Sequence, residues 1–137
     1  MESQKPLKVS VYRGTADARG QSFSLAGALR GVFDAVKDCH VGSINPGAVR
    51  GNHYHSQRTE VILVVFFAGC SIHWRDDSGV VHSTSLAGQG VAVVEVGPGC
   101  AHAVRNDGDQ KLFIVSLTDG SFDASSGETV RSVVIES

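Results

Sequence analysis

"AVRGNHYHSQRTEVILVV" (residues 48–65) sets His53, His55 and Glu60 directly ahead of residues 61–68, which carry no charge and no polar group. Buried histidines and carboxylates are costly unless they are paired, hydrogen-bonded or bound to a metal. The stretch therefore reads in one of two ways: a metal site entering a barrel, or a polar turn before an edge strand. His53 and His55 are two apart on a predicted strand, so both point to one face, while Asn52 and Tyr54 point to the other. Glu60 opens the next strand after a short turn, within reach of the pair.

Working outward from this stretch, sixteen glycines punctuate the chain, and the segments between them are short and β-branched. "KVSVY" (8–12), "CHVGSI" (39–44), "GNHYH" (51–55), "EVILVVFF" (60–67), "CSIHWR" (70–75), "VVHSTSL" (80–86), "VAVVEV" (91–96), "AHAVRN" (101–106) and "KLFIVSL" (111–117) all read as strands. "DDSGV", "AGQG", "GPG" and "NDGDQ" supply turns, with Asp, Asn and Gly where positive φ or Asx turns are needed. Short strands at this spacing predict an all-β sandwich or barrel. "SLAGALRGVFDAVKD" (24–38) contains helix formers, but its two glycines argue against one continuous helix. In "EVILVVFF" the even face (Glu60, Ile62, Val64, Phe66) and the odd face (Val61, Leu63, Val65, Phe67) are both apolar beyond Glu60. Such a strand is covered on both sides. One side is the barrel interior, and the other calls for an N-terminal strand, a helix or a second subunit, so a homodimer is expected.

The 137 residues fit a single domain, 1–137, with a barrel core over about 38–118, an N-terminal strand and cap segment over 1–37 and a C-terminal tail over 119–137. Hydrophobic residues make up 42% and charged residues 19%, an ordinary globular balance, and the formal charge of −2 gives no electrostatic reason to expect a nucleic-acid partner. No apolar run approaches the roughly 20 residues that span a bilayer, and "MESQKPLK" is no signal peptide, so a cytoplasmic protein without a membrane partner is expected. Cys39, Cys70 and Cys100 include no CxxC pair; an odd count without a signal argues against a disulfide framework and for small, semi-buried core thiols.

His102 opens a later strand, after the "GPG" turn. With His53, His55 and Glu60 it completes a set of three imidazoles and one carboxylate, suited to a divalent first-row ion: Zn first, with Fe, Ni, Mn or Co as the others. The other histidines read structurally. His40 is expected at the core or rim of the barrel, His82 exposed beyond the "DDSG" turn, and His73 opposite Trp74 on one strand, with Trp74 in the core. Arg105 is expected to point outward.

Residues 47–69 resemble the first motif of the cupin superfamily, G(x5)HxH(x3-4)E(x6)G, with Gly47, His53, His55 and Glu60 in register and Gly69 two residues late. Residues 97–106, "GPGCAHAVRN", resemble the second motif, PxG(x2)H(x3)N, through Gly99, His102 and Asn106, with Gly97 at the proline position. The resemblance implies a double-stranded β-helix, a jelly-roll barrel with the four ligand positions on its inner wall. Within the superfamily, "PGAVRGNHYH" is similar to the "PGxxRGNHxH" of the C-terminal cupin domain of bifunctional capsular-polysaccharide enzymes. It also resembles the "RGxH" segments of dTDP-4-dehydrorhamnose 3,5-epimerases and of dTDP-4-keto-6-deoxyhexose isomerases. "DARGQSFSL" (17–25) and "TDGSFDASSGETVR" (118–131) resemble the flanks of the same sugar-nucleotide cupins.

Those proteins act on 4-keto nucleotide sugars, whose carbonyl acidifies the neighbouring C–H. The resemblance therefore implies an isomerase or epimerase in surface-polysaccharide biosynthesis, with a nucleotide sugar as its small-molecule partner. By position His53 would be the base or a metal ligand, since a histidine titrates near the working pH. Arg50 would contact phosphate or the developing enolate. The epimerases carry an acid tyrosine in a "TDYY" segment where this chain has "TDGSF", with Gly120, Ser121 and Phe122. A metal-assisted isomerase or epimerase, or a sugar-binding cupin without chemistry, fits that difference better than a metal-free epimerase. An iron-dependent cupin dioxygenase would use the same ligands.

Overall fold

The computed structural model describes residues 6–25, 27–120 and 127–136. It is nearly all β, in antiparallel sheets, as expected. The strands are β1 (Leu7–Tyr12), β2 (Thr15–Asp17), β3 (Gly20–Ser22), β4 (Asp38–Ile44), β5 (Val49–His55), β6 (Glu60–Phe66), β7 (Cys70–Arg75), β8 (Val81–Leu86), β9 (Gly90–Val96), β10 (His102–Arg105), β11 (Leu112–Thr118) and β12 (Thr129–Arg131). Two five-stranded sheets, ordered β1-β9-β6-β11-β4 and β12-β5-β10-β7-β8, face each other as a jelly-roll barrel of the cupin kind. The sheets draw on both flanks of the chain: β1 pairs with β9 along its whole length, and β12 pairs with β5.

Inward side chains grade from apolar to polar along the strands of the first sheet. Along β11 they run Leu112, Ile114, Ser116, Thr118; along β6, in the opposite direction, Phe66, Val64, Ile62, Glu60. Antiparallel register aligns the two gradients, setting Thr118 opposite Glu60, and β4 continues them with Asp38 opposite Thr118 and His40 opposite Ser116. The apolar end fills the barrel with Leu7, Ile44, Val64, Phe66, Ile72, Val94 and their neighbours. Each such burial contributes about 1.5–3 kcal/mol. The polar end stays open and forms a cavity of about 710 Å³.

On the outer face of β6, Val61 is buried while Leu63 and Val65 are half-buried. Farther along that face, Val41 is 67% and Phe113 45% exposed on the neighbouring strands β4 and β11. The ambiguous 24–38 segment holds a single helical turn, α1 (Val32–Ala35), entered through Gly31 in the left-handed region. β2 and β3 form a two-stranded hairpin of exposed residues that sequence reading passed over. No helix among the described residues is long and apolar enough to cross a membrane.

One expectation about the cysteines fails. Cys70 and Cys100 are buried, but Cys39 is exposed, because its strand β4 is the edge of its sheet.

Candidate metal centre and sugar cavity

His53 and His55 reach the inner wall through an irregular strand. The register of β5 against β10 shifts between His102 and Ala103, so that His102 pairs with His53 and Ala103 with Gly51. The extra residue is Asn52, at φ 55°, preceded by Gly51 at φ 108°. Such a bulge re-aims the side chains that follow it. A Cβ on Gly51 would stand 2.7 Å from the His102 carbonyl oxygen, so only glycine allows β10 to approach this closely. Asn52 faces outward and clamps the C-terminal segment. Its amide donates to the Ile135 carbonyl, and its oxygen accepts from the Val134 and Ile135 amides.

The three imidazoles gather at the floor of the cavity. Ring centroids lie 5.1 Å apart for His53 and His55, 5.1 Å for His53 and His102, and 6.3 Å for His55 and His102. Glu60 enters from the facing sheet. Its Oε1 lies 3.1 Å from His102 Nε2 and 3.5 Å from His55 Nε2, and one ligand atom each from His53, His55 and Glu60 fall within 4.8 Å of one another. Ser116 donates its hydroxyl to Glu60 Oε2. Oε1 is buried yet makes no hydrogen bond of acceptable geometry, the one such side-chain atom among the described residues. An unsatisfied buried carboxylate oxygen is costly.

The outer nitrogens of two rings explain where their lone pairs point. His102 Nδ1 lies 3.0 Å from the Cys100 carbonyl oxygen, which only an N–H can satisfy. His55 Nδ1 lies 3.0 Å from Glu128 Oε1 and 3.1 Å from Thr129 Oγ1. With both Nδ1 atoms donating, each ring in its neutral form turns an Nε2 lone pair toward Glu60 Oε1. Electron-rich atoms so gathered call for a cation between them, and nitrogen and oxygen donors of this type suit a divalent first-row ion.

Charge in the cluster follows the same geometry. Burial pushes the Glu60 carboxyl up, but His102, His55 and Ser116 together bring it well below the usual carboxylate range. The Glu60 carboxylate raises His55 above the ordinary imidazole value, against burial, with Glu128 adding to the rise. His53 goes the other way: burial first, then the neighbouring His102 and His55, bring it down to about 4. His53 is therefore a neutral imidazole at pH 7, the form that ligates a metal.

Above the cluster the cavity is lined by Asp38, His40, Arg50, Arg58, Ser116 and Thr118, among others. Arg50, exposed on β5, donates Nε to the Ser43 carbonyl at 2.7 Å and makes no other hydrogen bond among the described residues. His40 is exposed at the rim, within the lining. Tyr12 and Tyr54 lie outside the lining; Ser121 and Phe122, at the position of the family's acid tyrosine, lie outside the described residues. Asn106 is buried and shapes the β10–β11 loop, donating to the carbonyls of Ile44 and Gln110 and accepting from the Gly108 amide. Away from the site, Trp74 packs on the core and stacks on His82, whose ring lies 2.7 Å from Asp76.

Ser116, Arg58 and Glu128 are among the site residues that escaped sequence reading. Arg58, in the β5–β6 turn, is buried and donates Nε to Glu128 Oε1 at 2.7 Å. Glu128 precedes β12 and brings a second acid to the cluster that neither motif contains.

A jelly-roll barrel with imidazoles and a carboxylate at its open end is a cupin. The chain belongs to the polysaccharide biosynthesis C-terminal domain family, whose model matches residues 15–130. A curated relative, the UDP-2-acetamido-2,6-beta-L-arabino-hexul-4-ose reductase of Pseudomonas aeruginosa, is 27% identical over 85 residues, 62% of this chain. The match spans only 23% of that reductase. Among solved structures, the capsular polysaccharide assembling protein CapF from Staphylococcus aureus aligns with a TM-score of 0.63 and 24% identity, over 71% of this chain and 26% of that one. A 3,4-ketoisomerase from Helicobacter canadensis aligns at 0.66 and 19% identity, over 94% and 92% of the two chains. A dTDP sugar isomerase from Desulfovibrio desulfuricans G20 aligns at 0.73 and 15%, over 97% and 89%. At these identities the likeness establishes the barrel.

Proposed function

We propose that this chain is a metal-binding cupin that isomerises or epimerises a 4-keto nucleotide sugar in surface-polysaccharide biosynthesis. The observation that carries the reading is Glu60 Oε1, buried without a hydrogen bond and faced by imidazole lone pairs at the floor of an open cavity. His53, His55, Glu60 and His102 would hold the ion, Zn ahead of Fe, Ni, Mn or Co. When bound, it supplies Lewis acidity toward the oxygen of a carbonyl whose neighbouring C–H is losing its proton.

The rest of the chemistry falls to side chains. Arg50, tied at Nε to Ser43, presents the remainder of its guanidinium at the cavity wall, suited to phosphate or to enolate charge. His53 is neutral and crowded by two other rings, which suits a ligand better than a base. His40 lines the cavity from the facing sheet and takes the proton-transfer role that the resemblance offered to His53 as one of two possibilities. The apolar surface at Val41 and Phe113 supports a homodimer, and a cytoplasmic location suits a nucleotide-sugar substrate.

Incubation of metal-loaded protein with 4-keto nucleotide sugars in D2O tests the reading. Deuterium is expected at the carbon beside the ketone, with uptake reduced in His40→Asn. No uptake from any such sugar by protein that holds its metal contradicts the isomerase. The absence of tyrosine from the described lining favours a second reading, a sugar-binding cupin without turnover. Tight binding without exchange marks that case.

A further inference from the structure

We propose that Glu128 is a positioning residue: its carboxylate fixes the His55 ring as the Nδ1–H tautomer and turns Nε2 toward Glu60, so that the C-terminal strand completes the site. The argument starts from how the carboxylate is held. Oε2 accepts the backbone amides of Gln57 and Arg58, each at 3.0 Å, and Oε1 accepts Arg58 Nε at 2.7 Å. The Glu128 carbonyl accepts the Ser56 amide, and next to it Thr129 pairs with His55 across β12 and β5. These contacts place Glu128 without help from the imidazole, so the carboxylate sets the ring rather than the reverse.

An ionised carboxylate only accepts hydrogen bonds. The Gln57 and Arg58 amides and the Arg58 guanidinium all donate to the Glu128 carboxylate, an arrangement that suits its ionised form. At 3.0 Å from Oε1, His55 Nδ1 must then carry its hydrogen, and in the neutral ring this leaves the lone pair on Nε2, 3.5 Å from Glu60 Oε1. A carboxylate behind a ligating imidazole fixes its orientation and raises its basicity, and loss of such a partner typically costs about 10–100-fold in metal affinity. Glu128 is 73 residues from His55 in sequence, and the pairing of β12 brings them together.

The consequence for metal affinity rests on the proposed metal site; the tautomer does not, and the two are measured separately. In the metal-free chain, ring 15N spectra at alkaline pH are expected to show His55 as Nδ1–H. Glu128→Gln, whose amide oxygen still accepts, should keep that tautomer, and Glu128→Ala should lose it toward Nε2–H. In competition with a chromophoric chelator, Glu128→Gln is expected to weaken zinc binding at least about 10-fold, because the negative charge behind the ring is gone. An Nε2–H ring in the wild type overturns the proposal, as does wild-type zinc affinity in Glu128→Gln. A wild type that binds no zinc sinks the metal reading instead, and the ring spectra still decide the role of Glu128. If Glu128→Ala does not fold, the wild-type spectrum and the Glu128→Gln affinity decide it.

Discussion

Glu60 Oε1 and His102 Nε2 approach to 3.1 Å from opposite sheets of the barrel, yet no hydrogen bond joins them. The same carboxylate is held from its other oxygen by Ser116, so Glu60 is fixed on one side and open on the other. A buried charge with one satisfied oxygen depends heavily on that single donor.

Ser116→Ala removes it. A hydrogen bond to a charged group contributes about 1.5–3 kcal/mol, so the variant should lose about that much stability in urea unfolding of the metal-free protein. An unchanged midpoint would mean that Ser116 does not carry Glu60.

Gly51→Ala tests the bulge. At φ 108° an alanine is strained, and its Cβ would meet the His102 carbonyl at 2.7 Å and Ala103 Cα at 2.9 Å. Strain and overpacking together predict a loss of at least about 2 kcal/mol. Wild-type stability would contradict the close approach of β5 and β10.

The thiols should divide by exposure. Burial pushes Cys70 up to about 12 and Cys100 up to about 11, which leaves both as unreactive thiols at neutral pH, while Cys39 is exposed. Titration of the native chain with a thiol reagent should show one fast group, with the others appearing on unfolding. Fast labelling of all three would contradict the burial.

Acid should loosen the β7–β8 hairpin. His82 foremost, then Ser78 and the Val80 amide, hold the Asp76 carboxyl below its ordinary value of 3.8. A depressed folded-state pKa stabilises above the unfolded value and is lost as pH falls through the folded one. The protection of the Val80 amide, its rate corrected for the intrinsic pH dependence of exchange, should therefore fall only below about pH 4, and Asp76→Asn should show the lower protection at neutral pH. Equal protection of Val80 in the two proteins at neutral pH would contradict the link.

What sequence could reveal follows from how local each signal is. The nine apolar strands stand out because alternation and Gly- or Asp-rich turns repeat along the chain. Asn106 and the histidine spacing carried the cluster for the same reason. The β2–β3 hairpin and β12 are three-residue strands of mostly exposed residues, without an apolar face to mark them. "RGN" was visible as a motif, but its meaning as a bulge depends on β10, fifty residues away. Arg58 and Glu128 meet only through the β12–β5 pairing. No spacing rule reaches across 70 residues, so the second acid at His55 emerged only in three dimensions.

The most direct test of the central claim is elemental analysis of protein purified without added metal, beside a His53→Ala/His55→Ala variant. The account predicts a stoichiometric divalent metal in the wild type and its loss in the variant. Equal metal content in the two, or none in the wild type, would contradict it.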